Sequence, residues 1–188
     1  LLDTSVLWPS LQRDFLLSLA IERVYRPIWS EAVLAELEYH EGRKLVSRGV
    51  SEDEAQQRAA GLIDAMRDAF PDAMVIGWEP LEGTYGLVDP DDEHVVAAAH
   101  LGGAGCIVTS NLRHFPAATL PGALEAISVA DFVRDAVSFA PYRAVAALGQ
   151  LAARTGRTGP VLTEADIIDI LEGRYGMDEA ATILRGAL

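Results

Sequence analysis

The sequence predicts an α/β fold built on a parallel sheet, followed by a small helical appendage. Three observations carry that reading. Short apolar stretches at 1–2, 24–29, 74–78, 106–110 and 126–127 alternate with longer segments of helical apolar spacing, the pattern of parallel βαβ units. Two of these stretches run straight into polar residues, Asp3-Thr4-Ser5 and Thr109-Ser110-Asn111, and ligands of open parallel sheets bind where strands end. Beyond Pro141 no strand-like stretch interrupts three successive helical patterns. Residues 1–138 are therefore expected to form the α/β domain and 139–188 a C-terminal helical extension.

Along the chain, Leu1-Leu2-Asp3 reads as the tail of a buried strand ending in a carboxylate, with a helix over 6–20 after it and Pro9 near that helix's start. The extended piece 24–29 contains Pro27, which favours a short or edge strand because proline cannot donate to a ladder. Ser30 can cap a helix over 30–47 whose apolar face is marked by Val33, Leu34 and Leu37; Glu36 lies beside that face. Ser51-Glu52-Asp53-Glu54 is a capping box opening a helix to about 69, closed by Pro71, so the two helices form a hairpin. Its basic residues Arg43, Lys44, Arg48 and Arg58 read as a solvated face or a phosphate contact.

Residues 89–115 are the densest stretch, DPDDEHVVAAAHLGGAGCIVTSNLRHF. Asp89 can cap, Pro90 suits the first helical position, and Asp91, Asp92 and Glu93 fill a first turn where the helix dipole favours negative charge. CIVTS reads as a buried strand delivering Thr109, Ser110 and Asn111 into a loop. An irregular connection over 111–122 leads to a short strand near 126–127 and a helix over 129–138. The tail holds helices over 142–154, 163–174 and 177–188, separated by TGRTGP and YG, with Thr163 and Asp166 placed as a capping box.

A chain of 188 residues, half of them apolar, fits one domain with a small appendage and fills a sizeable core. Its apolar runs fall short of a membrane span and no signal segment is visible, so a cytoplasmic protein is expected. The single Cys106 excludes an internal disulfide framework and reads as a core residue. Charge is strongly acidic, 15 basic against 28 acidic residues, and the excess lies in residues 1–140, which carry 10 and 22. Such a surface repels bare nucleic acid unless cations or a local basic patch intervene, and it suits a basic partner protein.

Three carboxylates, Asp3, Glu36 and Asp92, brought to one sheet edge would raise one another's pKa unless a cation neutralised them. A hard divalent ion, Mg²⁺ or Mn²⁺, fits oxygen ligands of this kind, and such a site can generate a hydroxide and stabilise an attacked phosphodiester. Taken singly, Asp3 also serves as a helix cap, Glu36 as a solvated residue and Asp92 as a dipole partner. Asp89 and Asp91 are neighbours able to replace Asp92 as ligand. His94 and His100 lack the spacing of a zinc site, and His40 reads as a surface residue.

The pieces LLDTSVL, SEAVLAEL, DPDDEHVVAAA and IVTSNLRHFP, in that order, make the sequence resemble the PIN-domain nucleases, and within them the VapC-type toxins of toxin–antitoxin pairs. The resemblance covers about residues 1–135. It implies a three-layer α/β/α fold around a parallel sheet and a Mg²⁺- or Mn²⁺-dependent endoribonuclease, in which metal-activated water attacks an RNA phosphodiester in line. By this match Asp3, Glu36 and Asp92 correspond to the metal-binding acids, and Asn111 to a residue orienting water or phosphate. Thr109 and Ser110 line the same turn. Many relatives carry a further acid after the Thr, where this chain has Asn111 and His114, so the resemblance implies a weaker second metal site. His114 then reads as a phosphate contact, a proton donor or an exposed loop residue. The family also implies an antitoxin that inserts a segment, often with an arginine, into the acidic pocket, and a homodimer. The alternative is a PIN-like scaffold with weak catalysis. A haloacid dehalogenase-type phosphohydrolase is disfavoured because Ser5 stands where that family needs a second Asp.

Overall fold

The computed structural model describes residues 1–156 and 159–188; within the TGRTGP linker, Arg157 and Thr158 lie outside the described residues. Among the described residues four short strands, β1 (Trp29–Ser30), β2 (Met74–Val75), β3 (Cys106–Val108) and β4 (Glu125–Ile127), form two parallel pairs, β1 with β2 and β3 with β4. Residues 1–3 link the pairs. Leu2 N donates to Ile28 O at 3.1 Å, Asp3 N donates to Val108 O at 3.1 Å, and Val108 N donates to Leu1 O at 2.9 Å. The backbone bonds thus order these segments as β2, β1, residues 1–3, β3, β4, with β1–β2, Leu2–Val108 and β3–β4 paired in parallel, and the α/β reading holds.

β1, β3 and β4 are short because polar residues or helix starts follow them at once, and β2 is followed by Ile76 and Gly77. β1 gives way to α3 (Glu31–Ser47), whose N-cap Ser30 accepts a hydrogen bond from Val33 N. The piece around Pro27 is short, as expected, but it is not an edge: Ile28 bonds the N-terminal residues on one side and Trp29 N bonds Ala73 O on the other. Pro27 precedes both bonds, so its missing N–H costs the ladder nothing.

The helix expected over 6–20 is two helices, α1 (Thr4–Leu7) and α2 (Ser10–Ile21), with Pro9 as the N-cap of the second. Proline lacks the donor and crowds the preceding turn, so the helix restarts there. Helices α3 and α4 (Glu52–Ala69) pack as the expected hairpin. Ser51 caps α4 through Glu54 N, while the Glu54 carboxylate turns to Arg58 instead of closing the box. With Arg58 on Glu54, Lys44 on Glu41 and Arg43 against Tyr39, three of the four basic residues named in the hairpin are held by its own surface.

The chain divides into two compact units that do not follow it linearly: 1–8 with 27–127, and 9–26 with 128–188. The first holds the strands, α1, α3, α4 and α5 (Glu93–Leu101), with Leu2, Trp29, Leu34, Leu37, Val96 and Ile107 buried at its centre. The second is all helical: α2, α6 (Val129–Phe139), α7 (Pro141–Arg154), α8 (Glu164–Tyr175) and α9 (Asp178–Ala187). There α2 packs on α7, with Arg154 Nη2 donating to Ser18 Oγ at 2.6 Å, and α6 packs on α9. Two segments that the linear reading gave to the α/β part, 9–26 and 128–138, are thereby grouped by contact with the tail. Thr163 and Asp166 form the full capping box of α8. Among the described residues no helix is long and apolar enough to cross a membrane.

Gly102 closes α5 where there is no room for a side chain. A Cβ there would lie 2.7 Å from Val75 Cγ2, 2.8 Å from Ile28 Cδ1 and 2.9 Å from Ala98 O. Gly102→Ala is therefore expected to destabilise the chain by about 1–3 kcal/mol through overpacking, read as a lower denaturant midpoint at unchanged slope.

Candidate metal centre

Residues 1–3 and β3 run parallel and end side by side, which delivers Asp3 and Thr109 to the same edge. Asp3 is 6% exposed, and its Oδ2 accepts from Thr109 Oγ1 at 2.7 Å and from Ser5 Oγ at 2.6 Å. Each hydroxyl also accepts a backbone N–H of the following turn: Ser110 N on Ser5 Oγ at 2.9 Å, and Asn111 N on Thr109 Oγ1 at 3.0 Å. One carboxylate thus organises the start of α1 and the loop after β3. Thr109 is fully buried beneath Asp3, while Ser110 and Asn111 are exposed.

Glu36 projects from the second turn of α3. Thr4 Oγ1 donates to its Oε2 at 2.6 Å, and His94 Nε2 lies 2.9 Å from its Oε1. Burial alone would raise this carboxyl, but the His94 and Thr4 hydrogen bonds outweigh it and hold Glu36 below the ordinary glutamate value. Burial pushes His94 down, yet the Glu36 hydrogen bond and charge leave it above the ordinary histidine value. Its other ring nitrogen is buried without a partner among the described residues.

Asp92 stands where a 3₁₀ turn, Pro90–Asp92, runs into α5. Asp89 caps that turn by accepting from Asp91 N at 3.2 Å. His114, at the end of a second 3₁₀ turn after β3, places Nδ1 2.6 Å from Asp92 Oδ2. The Asp92 carboxyl is nevertheless raised, by burial first and by the charges of Asp89 and Asp3, against the lowering effect of His114.

A pocket of about 410 Å³ is lined by Asp3, Thr4, Ser5, Trp8, Glu36, His40, Asp92 and Asn111. It gathers the three acids and the asparagine singled out from the sequence, with exposed His40 at its rim. Asp91 is exposed and lines no part of it, and Asp89 and His114 instead cluster with Asp92. A larger hollow of about 730 Å³ between α3 and α4, bordered by Tyr39, Val46 and Ala59, contains none of Asp3, Glu36 and Asp92. The donors facing the smaller pocket are carboxylate oxygens, and the upward push that Asp3 and Asp89 exert on Asp92 is what a bound cation would relieve. The oxygen donors of Asp3, Glu36 and Asp92 are of the type a hard divalent ion takes, while among the described residues it is Asp89, Asp92 and His114 that bring one ligand atom each within 4.8 Å of one another.

A parallel α/β unit with a carboxylate-lined pocket at its strand ends defines a class of metal-site proteins, and the sequence places the chain within it. The PIN-domain family model matches residues 1–113, and the chain belongs to the PIN-domain family. PIN domains are typically metal-dependent nucleases. No curated protein and no solved structure matches the chain.

Two supporting residues escaped the sequence reading. His94 is one: a histidine inside the buried run HVVAAA needs a polar partner, and that was the available signal. Glu93 is the other, read as a dipole partner but only 3% exposed. Its carboxylate accepts from Tyr85 N at 3.0 Å and Leu87 N at 2.9 Å, fastening the loop before the acidic turn. Burial opposes ionisation of Glu93, but the backbone donors prevail and lower it. A carboxyl lowered in the folded state contributes stability at neutral pH that is lost as pH falls below its ordinary value of 4.5. Glu93→Gln is expected to lower stability by roughly 1–3 kcal/mol at pH 7 and to flatten the acid limb of a stability-versus-pH curve.

Proposed function

We propose that this chain is a Mg²⁺- or Mn²⁺-dependent endoribonuclease and the toxin component of a toxin–antitoxin pair. The observation that carries this reading is the single pocket onto which Asp3, Glu36, Asp92 and Asn111 converge in a PIN-domain chain. When bound, the divalent ion would supply positive charge that lowers the pKa of a water and stabilises the charge developing on an RNA phosphodiester.

The chain's own residues do the positioning. Thr109 and Ser5 hold Asp3 in one orientation, and Thr4 and His94 hold Glu36, so two carboxylates are set before any ligand arrives. Asn111, at the pocket, offers an amide that can donate to phosphate or accept from water. Trp8 lines the same pocket with 45% of its surface exposed, a face for stacking an unpaired base.

The net charge of −13 and the carboxylate pocket suit an antitoxin segment carrying arginine, which pairs with carboxylates through two parallel hydrogen bonds. Homodimerisation, which rests on the family resemblance, and a cytoplasmic location complete the proposal. The alternative of a binding scaffold draws on the same acidity and on His114 standing in the turn after Thr109, where many relatives carry an acid.

Purified chain is expected to cleave a mixed RNA pool with Mg²⁺ or Mn²⁺. Asp3→Asn and Asp92→Asn each abolish cutting, and EDTA stops it. Cutting that survives both substitutions sinks the assigned site, and absence of both cutting and Mn²⁺ binding favours the scaffold. In a separate test, Trp8→Ala is expected to raise KM for single-stranded RNA about fivefold or more, from the loss of about 1–3 kcal/mol of stacking, while Mn²⁺ affinity measured by calorimetry stays unchanged.

A further inference from the structure

One oxygen each of Asp89 and Asp92 and one ring nitrogen of His114 lie within 4.8 Å of one another. We propose that these three residues form a mixed nitrogen–oxygen cation site that selects a first-row transition ion over Mg²⁺. The proposal takes the metal-binding part of the proposed function as its premise and goes on to name the class of ion.

The local backbone explains why the donors stay together. Asp89 is the N-cap of the 3₁₀ turn and Asp92 its last residue, and Asp92 N donates to Asp89 O at 3.2 Å. That turn holds one oxygen of each carboxylate within 4.8 Å of the other. The 3₁₀ turn Leu112–His114 brings the imidazole to the same place from the loop after β3. His114 Nδ1 stands 2.6 Å from Asp92 Oδ2, joined to it by a hydrogen bond. Neighbouring ligands of a six-coordinate ion with bonds of about 2.1 Å stand about 3 Å apart. Exchanging the proton for an ion therefore requires these two atoms to separate by only a few tenths of an ångström.

The donor types set the selectivity. Mg²⁺ takes oxygen ligands in near-ideal octahedra and gives up water reluctantly. Imidazole is a softer donor whose preference rises along the first-row divalent ions, so His114, in a turn where this chain has Asn111 and His114 and many relatives carry an acid, moves the site away from Mg²⁺. The expectation from sequence was a weaker second site; the histidine gives that site a different ion in place of a lower occupancy.

The test uses Mn²⁺ as the probe, because its unpaired electrons report bound nitrogen. Full-length wild type, His114→Asp and His114→Gln are titrated calorimetrically with Mn²⁺ and with Mg²⁺. Pulsed electron paramagnetic resonance then reads ¹⁴N coupling on the bound Mn²⁺, and circular dichroism verifies that each variant is folded. Nitrogen coupling is expected in the wild type and absent from both variants, with the Mn²⁺-to-Mg²⁺ affinity ratio falling about tenfold or more. Coupling that survives both substitutions assigns the nitrogen to another residue and overturns the proposal. Mn²⁺ bound to the wild type without nitrogen coupling also overturns it, but leaves an all-oxygen ion on Asp3, Glu36 and Asp92 and the nuclease reading intact. No Mn²⁺ binding overturns both. Loss of RNA cleavage with the coupling preserved counts against the nuclease reading alone.

Discussion

The hydrogen bonds that residues 1–3 make to Ile28 and Val108 are the constraint on which the α/β unit depends. Without them the strands are two isolated parallel pairs, each two or three residues long, and pairs of that size are marginal in water. With them the pairs become one parallel set, and the residue that ends the central segment is an aspartate. The carboxylate is thus fixed by the same backbone bonds that hold the strands. Thr109 is set beside it because β3 is bonded to residues 1–3 in register, and the two hydroxyls on Asp3 in turn accept the N–H groups of the loop that carries Asn111.

The three pocket acids are held by different chemistry, and the differences bear on their charge. Asp3 is met by hydroxyls, which orient a carboxylate without adding charge. Glu36 is met by a hydroxyl and an imidazole, and its proton affinity falls. Asp92 is met by His114 yet lies close to Asp89 and Asp3, and its proton affinity rises. The environments of Glu36 and Asp92 thus push the two carboxyls in opposite directions.

Much of this was legible in the sequence because local chemistry specified it. The strand ends at Asp3 and Thr109, the Ser30 cap, the Thr163–Asp166 box and the acidic turn at Asp89 all follow from residues adjacent in the chain. What escaped needed distant partners. Nothing near His94 announces that Glu36 lies against it from another helix, and nothing near Glu93 announces that the loop at 85–87 returns to it. The break at Pro9 was visible as a residue but not as a division between compact units, since helical periodicity runs on through it. The grouping of α2 with α7 is likewise a matter of tertiary packing, which periodicity cannot report.

The second unit is assembled from segments far apart in the chain, and this has a consequence for synthesis. Helix α2 ends at Ile21 and the helix that packs on it begins at Pro141. At translation rates of roughly 5–20 residues per second, on the order of ten seconds pass between the emergence of the two. For that interval α2 is on a nascent chain without the helix that packs on it in this unit, and a ribosome stalled before Pro141 would leave it so. The stretch recognisable as a PIN domain, residues 1–113, is in this sense shorter than what the cell must finish making before α2 has its partner.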